Sequence, residues 1–356
     1  MLLLPLTRQL SSLIRNSKMD TALLNENDQQ QMIFAAELIK NGEVVGMPTE
    51  TVYGLAADAR NENAVEKIFT AKGRPSDNPL IVHLAKFSDA SLYTTSIPEL
   101  AFKIAEKFCP GPLTMIFPKN EKIPYITSGG LDTVGIRIPS HPTARKLIEL
   151  SGCPIAAPSA NTSGYPSPTE ASHVILDMNG KIPAVIDGGQ CRCGVESTVI
   201  SFDNENTVRI LRPGFVTRED LLTLGCEVIV DKAILSEVAA GEKVASPGMK
   251  YKHYSPKAKV TLVDGSFENF RHFADLNKNS KTYFLVFDGD ILNNGCNFLS
   301  YGKDSAEQAH NIFSSLRRLD SLGAEKVFVR VPDKNGIGLA VYNRLIRAAG
   351  FEVITI

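Results

Sequence analysis

Met47-Pro-Thr-Glu-Thr-Val-Tyr-Gly-Leu-Ala56 and, a helix's length later, Lys72-Gly-Arg-Pro-Ser-Asp-Asn-Pro-Leu-Ile-Val-His83 carry most of what the chain says about its architecture. The run from Glu43 to Met47 reads as a strand and stops at Pro48. Thr49, Glu50, Thr51 and Tyr53 then crowd a short polar loop. Val65, Ile68 and Phe69 recur at helical spacing, and Gly73 marks the helix end. Lys72 and Arg74 flank that end, and Ser76, Asp77 and Asn78 lead into a second strand, Leu80 to His83. Two loops rich in donors and cations could thus converge at one edge of a sheet, where an anionic ligand would be held.

Outward from there, helices are predicted over 28–40, 98–108 and 141–150, and strands over 113–117, 155–157 and 184–187. Val134, Ile136 and Ile138 alternate with Gly135 and Arg137, so Arg137 is either solvated or aimed into a cleft. Pro158-Ser-Ala-Asn161-Thr-Ser-Gly164 is dense in hydroxyl and amide groups, and Thr169 reads as the N-cap of a helix to about Asp177. Val199–Phe202 and Val208–Leu211 form a hairpin, and Thr217 with Asp220 makes a capping-box variant. Ser246 to Pro256 has neither helical nor strand period and reads as a linker. From Lys259 onward strands alternate with helices, which implies a smaller parallel α/β domain.

A length of 356 residues suggests two domains, and 43% apolar with 22% charged residues suits a globular chain with a substantial core. A net charge of −1 argues against whole-protein capture of nucleic acid. Cysteines 109, 153, 191, 193, 226 and 296 show no zinc spacing and read as reduced thiols. No apolar run reaches the roughly 20 residues that span a bilayer. Residues 1–19 carry Arg8, Arg15 and Lys18 and no acid; they read either as a mitochondrial transit segment or as an extension before an internal start at Met19.

Phosphate-loop, dinucleotide, HExxH and GxSxG motifs are absent. What remains is a set of loops suited to a small polar ligand. Lys72 and Arg74 match phosphate oxygens, with Ser76 and Asn78 beside them. Thr51, Ser159 and Ser197 offer hydroxyls, and Arg137 suits a carboxylate. His83, on an otherwise apolar strand, reads on spacing alone as a core histidine.

Pro48 to Ala56, Lys72 to Leu80, Pro110-Gly-Pro-Leu-Thr114, Val134 to Pro139, Pro158 to Asn161 and Glu196-Ser-Thr198 together resemble the YrdC-type domain. Ser246 to Tyr254 and the trailing α/β region resemble the long, two-domain form of that family, the threonylcarbamoyl-AMP synthases. The resemblance implies a YrdC-type twisted mixed sheet with flanking helices and an open cleft, plus a Rossmann-like parallel α/β domain. It places an N-terminal extension at 1–24, the catalytic domain at 25–235, a linker or lid at 236–258 and the C-terminal domain at 259–356.

The implied chemistry joins L-threonine, bicarbonate and ATP, with Mg²⁺ on the ATP and no prosthetic group. Product passes to a tRNA threonylcarbamoyl transferase complex, which modifies the adenosine beside the anticodon. The resemblance assigns threonine to Thr51, His83, Arg137, Ser159 and Ser197. It assigns the nucleotide to Lys72, Arg74, Asn78, Thr133, Asn161, Thr169, Arg212 and Tyr254, with Lys72 and Arg74 as the catalytic cations. Residues around Tyr251, His253 and Tyr254 are expected to form a lid that excludes water. The expected location is cytoplasmic, and also mitochondrial if residues 1–19 serve as a transit segment. The main alternative is a double-stranded RNA- or tRNA-binding protein. A carbamoyl transferase of the hydrogenase-maturation type lacks its upstream segments here, and a regulatory ATP-binding protein lacks its phosphate loop.

Overall fold

The computed structural model describes residues 20–235 and 254–356. Residues 1–19, read as a transit segment or as an extension before Met19, and most of the expected lid lie outside the described residues. The chain divides into two units, residues 1–163 with 168–191, and residues 164–167 with 192–356.

The first unit runs β1 (Ala22–Asn25), α1 (Gln29–Lys40), β2 (Val45–Met47), β3 (Gly54–Asp58), α2 (Glu62–Lys72), β4 (Ile81–His83), α3 (Glu99–Phe108), β5 (Leu113–Pro118), α4 (Tyr125–Ser128), β6 (Thr133–Arg137), α5 (Pro142–Ser151), β7 (Ile155–Ala156), α6 (Ala171–Met178) and β8 (Ala184–Asp187). Its strands lie in the order β1-β8-β2-β3-β7-β4-β6-β5. β1 with β8, β8 with β2 and β4 with β6 are parallel, and the other neighbours are antiparallel, so the sheet is mixed as expected. Met32, Ile39, Met47, Leu147 and Ile186 pack in one core between this sheet and α1 and α5. Burying each such side chain stabilises by roughly 1.5–3 kcal/mol.

Two strands here have no sequence signal. β1 cuts across the boundary expected at residue 24. It is held at its start by Thr21, whose hydroxyl donates to Ile182 O at 2.7 Å. β3 has no β-branched residue and no alternation; it is a strand because β2 and β7 flank it and both its faces are covered.

The second unit runs β9 (Thr198–Asn204), β10 (Thr207–Arg212), α7 (Arg218–Leu222), β11 (Glu227–Val230), β12 (Lys259–Asp264), α8 (Phe267–Asn277), β13 (Thr282–Val286), β14 (Asn297–Ser300), α9 (Ser305–Ser321), β15 (Lys326–Arg330), α10 (Gly336–Ala348) and β16 (Val353–Thr355). β9 and β10 form the expected hairpin, and β11 adds in parallel. The capping box of Thr217 and Asp220 is present. Five strands, β14-β13-β15-β12-β16, make a second sheet whose pairings are all parallel. β14 carries no apolar run and is half exposed, which is why its sequence is silent. Gly164–Ser167 is tied into this unit: Ser255 N donates to Gly164 O at 2.9 Å and Arg317 to Pro166 O at 2.6 Å. No helix among the described residues is long and apolar enough to cross a membrane.

Candidate active site

In the first unit the site begins at the hairpin between β2 and β3. Thr49 organises it: its hydroxyl donates to Val52 O at 2.7 Å and accepts from Thr51 N at 3.1 Å. Thr51 is fully buried, with its hydroxyl 2.9 Å from that of Thr49. This turn directs Glu50 inward, where it meets Arg137 in a 2.8 Å ion pair, the two side chains 4% and 5% exposed. Arg137 is therefore not solvated. Burial pushes the Glu50 carboxyl up, but the charge and hydrogen bond of Arg137 outweigh it and hold Glu50 below its ordinary range.

His83 stands beside Arg137, because β4 and β6 pair in the register His83↔Arg137. Burial, with the positive charge of Arg137, pushes its pKa down to about 3. The imidazole is thus neutral at physiological pH. Its Nδ1 lies 3.2 Å from Ile81 O, which fits an Nδ1–H donor and leaves Nε2 as the acceptor. Cys109 is also close, its thiol pushed up to about 12 by burial and hence inert.

The second group forms where α2 ends. Asn61 caps its start, and Gly73, at φ +61°, closes it in a conformation that suits glycine. Lys72 is buried, and its Nζ donates to Ser159 O and, at 2.7 Å, to Asn161 O. An expected phosphate cation therefore also clamps the loop that carries two other expected ligands. That loop is stitched to β3 by Leu55 N to Pro158 O and Ala160 N to Tyr53 O, both 2.8 Å. Asn78 is 1% exposed, and neither polar atom of its amide has a protein partner. Its burial follows from Gly129, where a Cβ would fall 2.7 Å from Pro79 N. A buried amide left unpaired costs about 1–3 kcal/mol, so this site is built for something other than stability.

Thr133 begins β6, and Arg137 ends it, roughly 13 Å away at strand rise. Thr169 does not cap α6. Glu170 occupies the N-cap position without a side-chain bond, and the Thr169 N–H donates to His173 Nδ1 at 3.3 Å. The Thr169 hydroxyl is buried with no protein partner, like the Asn78 amide. Arg74 follows Gly73 directly, its N–H bonded to Phe69 O.

Ser197, Arg212 and Tyr254 belong to the second unit. Arg212 Nε donates to Ser197 O at 3.1 Å and Arg212 Nη2 to Ser197 Oγ at 3.2 Å. Tyr254 is buried, with its ring 5.1 Å from that of Phe313. Burial, then the negative charge of Glu196, raises its phenol pKa. Three residues are missing from the sequence-based set: Glu50, Glu196 and Arg344, whose Nε donates to Glu196 Oε2 at 3.0 Å. The first two had a usable signal, each standing just before an expected ligand hydroxyl. Arg344 had none.

A family model described as "Telomere recombination" (Sua5–YciO–YrdC) matches residues 37–214. A second, described as the threonylcarbamoyl-AMP synthase C-terminal domain, matches residues 216–350. The chain is 43% identical over 335 residues to the threonylcarbamoyl-AMP synthase of Pyrococcus abyssi, covering 92% of this chain and 97% of that one. It is 42% identical to the Bacillus subtilis threonylcarbamoyl-AMP synthase, over 93% and 96% of the two chains. The crystal structure of P. abyssi Sua5 complexed with L-threonine superposes with a TM-score of 0.88 at 42% identity, covering 94% of this chain and 99% of the other. The RNA-binding alternative is not favoured by these likenesses.

Proposed function

The chain belongs to the Sua5/YrdC-type threonylcarbamoyl-AMP synthase family, and from that premise we propose the reaction it carries out and the residues that serve it. The protein is a transferase that makes L-threonylcarbamoyladenylate for the threonylcarbamoyladenosine modification of tRNA. In finer terms it acts as a nucleotidyltransferase. The threonine amine takes up carbon dioxide from bicarbonate to give a carbamate. A carbamate oxygen attacks the α-phosphorus of ATP, the bond from that phosphorus to the α,β-bridging oxygen breaks, and pyrophosphate leaves. The product then goes to a separate tRNA threonylcarbamoyl transferase complex. The protein works in the cytoplasm, and in the mitochondrion if residues 1–19 serve as a transit segment.

The observation that carries this reading is the likeness to a threonine-bound relative over nearly the whole of both chains. The side chains support it. Arg137 offers a guanidinium to the threonine carboxylate, and Thr51, Ser159 and Ser197 offer hydroxyls. His83, neutral with a pKa of about 3, is a poor proton acceptor at pH 7 and serves as a hydrogen-bonding group rather than a general base. The substrate brings its own nucleophile, so catalysis consists of alignment and charge neutralisation. Lys72, Arg74 and the unpaired amide of Asn78 suit phosphate oxygens that carry Mg²⁺. That ion supplies charge neutralisation on the phosphates. Thr133, Asn161, Thr169, Arg212 and Tyr254 complete the nucleotide set.

Pyrophosphate release from the full chain with ATP, Mg²⁺, bicarbonate and L-threonine tests the proposal, with each component left out in turn. Release should require both threonine and bicarbonate. Threonine-independent release would overturn it.

A further inference from the structure

Within the second unit, Arg344 on α10 is fully buried and makes an unusual number of bonds. Its Nε donates to Glu196 Oε2 at 3.0 Å and its Nη2 to the Glu196 backbone carbonyl at 3.3 Å. Its Nη1 donates to Pro213 O at 2.5 Å and to Asn343 Oδ1 at 3.3 Å. Ser167 Oγ donates to the other Glu196 oxygen at 2.5 Å. Burial pushes the Glu196 carboxyl up, and the charges of Arg344 and Arg212 more than reverse the effect.

A buried pair of this kind adds little net stability, since apolar residues of the same volume often do as well or better. Its particular contribution here is geometric. Glu196 is the residue before Ser197, and Pro213 is the residue after Arg212. One planar guanidinium thus grips both backbones on either side of the bond between Arg212 and Ser197. The two segments have no slack: a Cβ at Gly214 would lie 2.3 Å from Thr198 N, and Thr198 Oγ1 bonds both Val216 O and Val216 N. A lysine would supply the charge but only a point of attachment, whereas the arginine fork fixes directions.

The geometry points to Arg344 as a positioning residue, which from the C-terminal α/β region sets the Ser197 hydroxyl and the Arg212 guanidinium at the spacing that threonine and nucleotide binding need. The inference rests on the assignment of Ser197 and Arg212 to the ligand site proposed above. It also gives the C-terminal domain a duty separate from that of the expected lid. Truncation near residue 240 removes Arg344 together with most of the expected lid and so does not separate the two.

Arg344→Lys in the full chain does separate them. It keeps the counter-charge for Glu196 and loses the fork to the two carbonyls. The threonine KM should rise about tenfold, the worth of roughly one hydrogen bond to a charged donor, with kcat within about twofold. Amide hydrogen exchange at 196–199 and 213–216 should quicken by about the same factor, a readout independent of turnover. If the lysine variant does not fold, Arg344→Gln, which leaves Glu196 the charge of Arg212, should fold with the same rise in KM. An unchanged threonine KM in either folded variant overturns the inference, even where exchange quickens. A glutamine variant that also fails to fold overturns it too, because Arg344 then serves stability. If the unaltered chain shows no threonine-dependent release, the proposed reaction fails, and exchange alone decides: unchanged protection in the lysine variant removes the positioning role.

Discussion

Among the described residues, buried glutamate–arginine pairs stand in both units, Glu50–Arg137 and Glu196–Arg344, and the roles proposed for them differ. In both, the glutamate directly precedes a hydroxyl assigned to threonine: Glu50 before Thr51, and Glu196 before Ser197. In both, the guanidinium holds the carboxylate charged against its burial. Arg137, however, lies on a strand end beside His83, and its proposed role is to meet a ligand carboxylate. Arg344 is surrounded by backbone carbonyls and gives all its directionality to the chain itself. The same ion pair can present a cation or fix a backbone, and the identity of the arginine's other neighbours decides which.

The comparison is sharpened most by Arg137→Lys. Lysine keeps the partner for Glu50 and loses the fork that a carboxylate would meet. The kcat/KM for threonine should fall about 100-fold, against about tenfold for Arg344→Lys, as expected when charged hydrogen bonds worth roughly 1.5–3 kcal/mol each are lost. Equal losses in the two variants would erase the distinction.

Asn78 is a third kind of buried polar group, one with no protein partner at all. Asn78→Leu should leave the melting temperature unchanged or slightly raised while the KM for ATP rises about tenfold, because removing an unpaired buried amide costs the folded protein nothing. A lowered melting temperature with unaltered ATP kinetics would make Asn78 part of the scaffold.

The smallest effect separates the pairs by pH. His83 accompanies the first pair only. Its folded pKa is about 3 against an ordinary value of 6.5, so the unfolded chain binds its proton first and stability falls as pH drops below 6.5. Glu50 and Glu196, both held low, add their losses only once pH falls below their ordinary value of 4.5. Between pH 6.5 and 4.5, His83→Gln should therefore flatten the fall in melting temperature by roughly 5 °C, as followed by calorimetry. Parallel curves for the two proteins would remove His83 from that linkage.

What the sequence disclosed follows from how local each signal is. Helix α2 is closed by Gly73, the β9–β10 hairpin is made by its polar turn, and α7 is opened by Thr217 and Asp220, and all are legible because a few neighbouring residues determine them. β1, β3 and β14 are strands by virtue of partners far along the chain, and their own residues carry no period. Thr169 has the composition of a cap, yet the backbone turns one residue later and leaves its hydroxyl buried. At the site, Arg137 showed in the alternation of β6, and the motif resemblance named most of the rest. Arg344 was hidden because an arginine in an amphipathic helix looks solvated until the fold brings Glu196 and Pro213 to it.

The tetrapeptide Gly164–Ser167 has a bearing on how the molecule is made. All the strands of the first unit have been synthesised by residue 187, so that unit can close while translation continues. Pro166 must wait for Arg317, 151 positions later, and Glu196 for Arg344, 148 positions later. At ribosomal speeds of about 5–20 residues per second, the wait is on the order of ten seconds. During it, a nascent chain carries one finished half and one half whose polar groups are still exposed to chaperones and proteases. Emergence of α10 ends that interval, because only then can Arg344 reach Glu196 and Pro213.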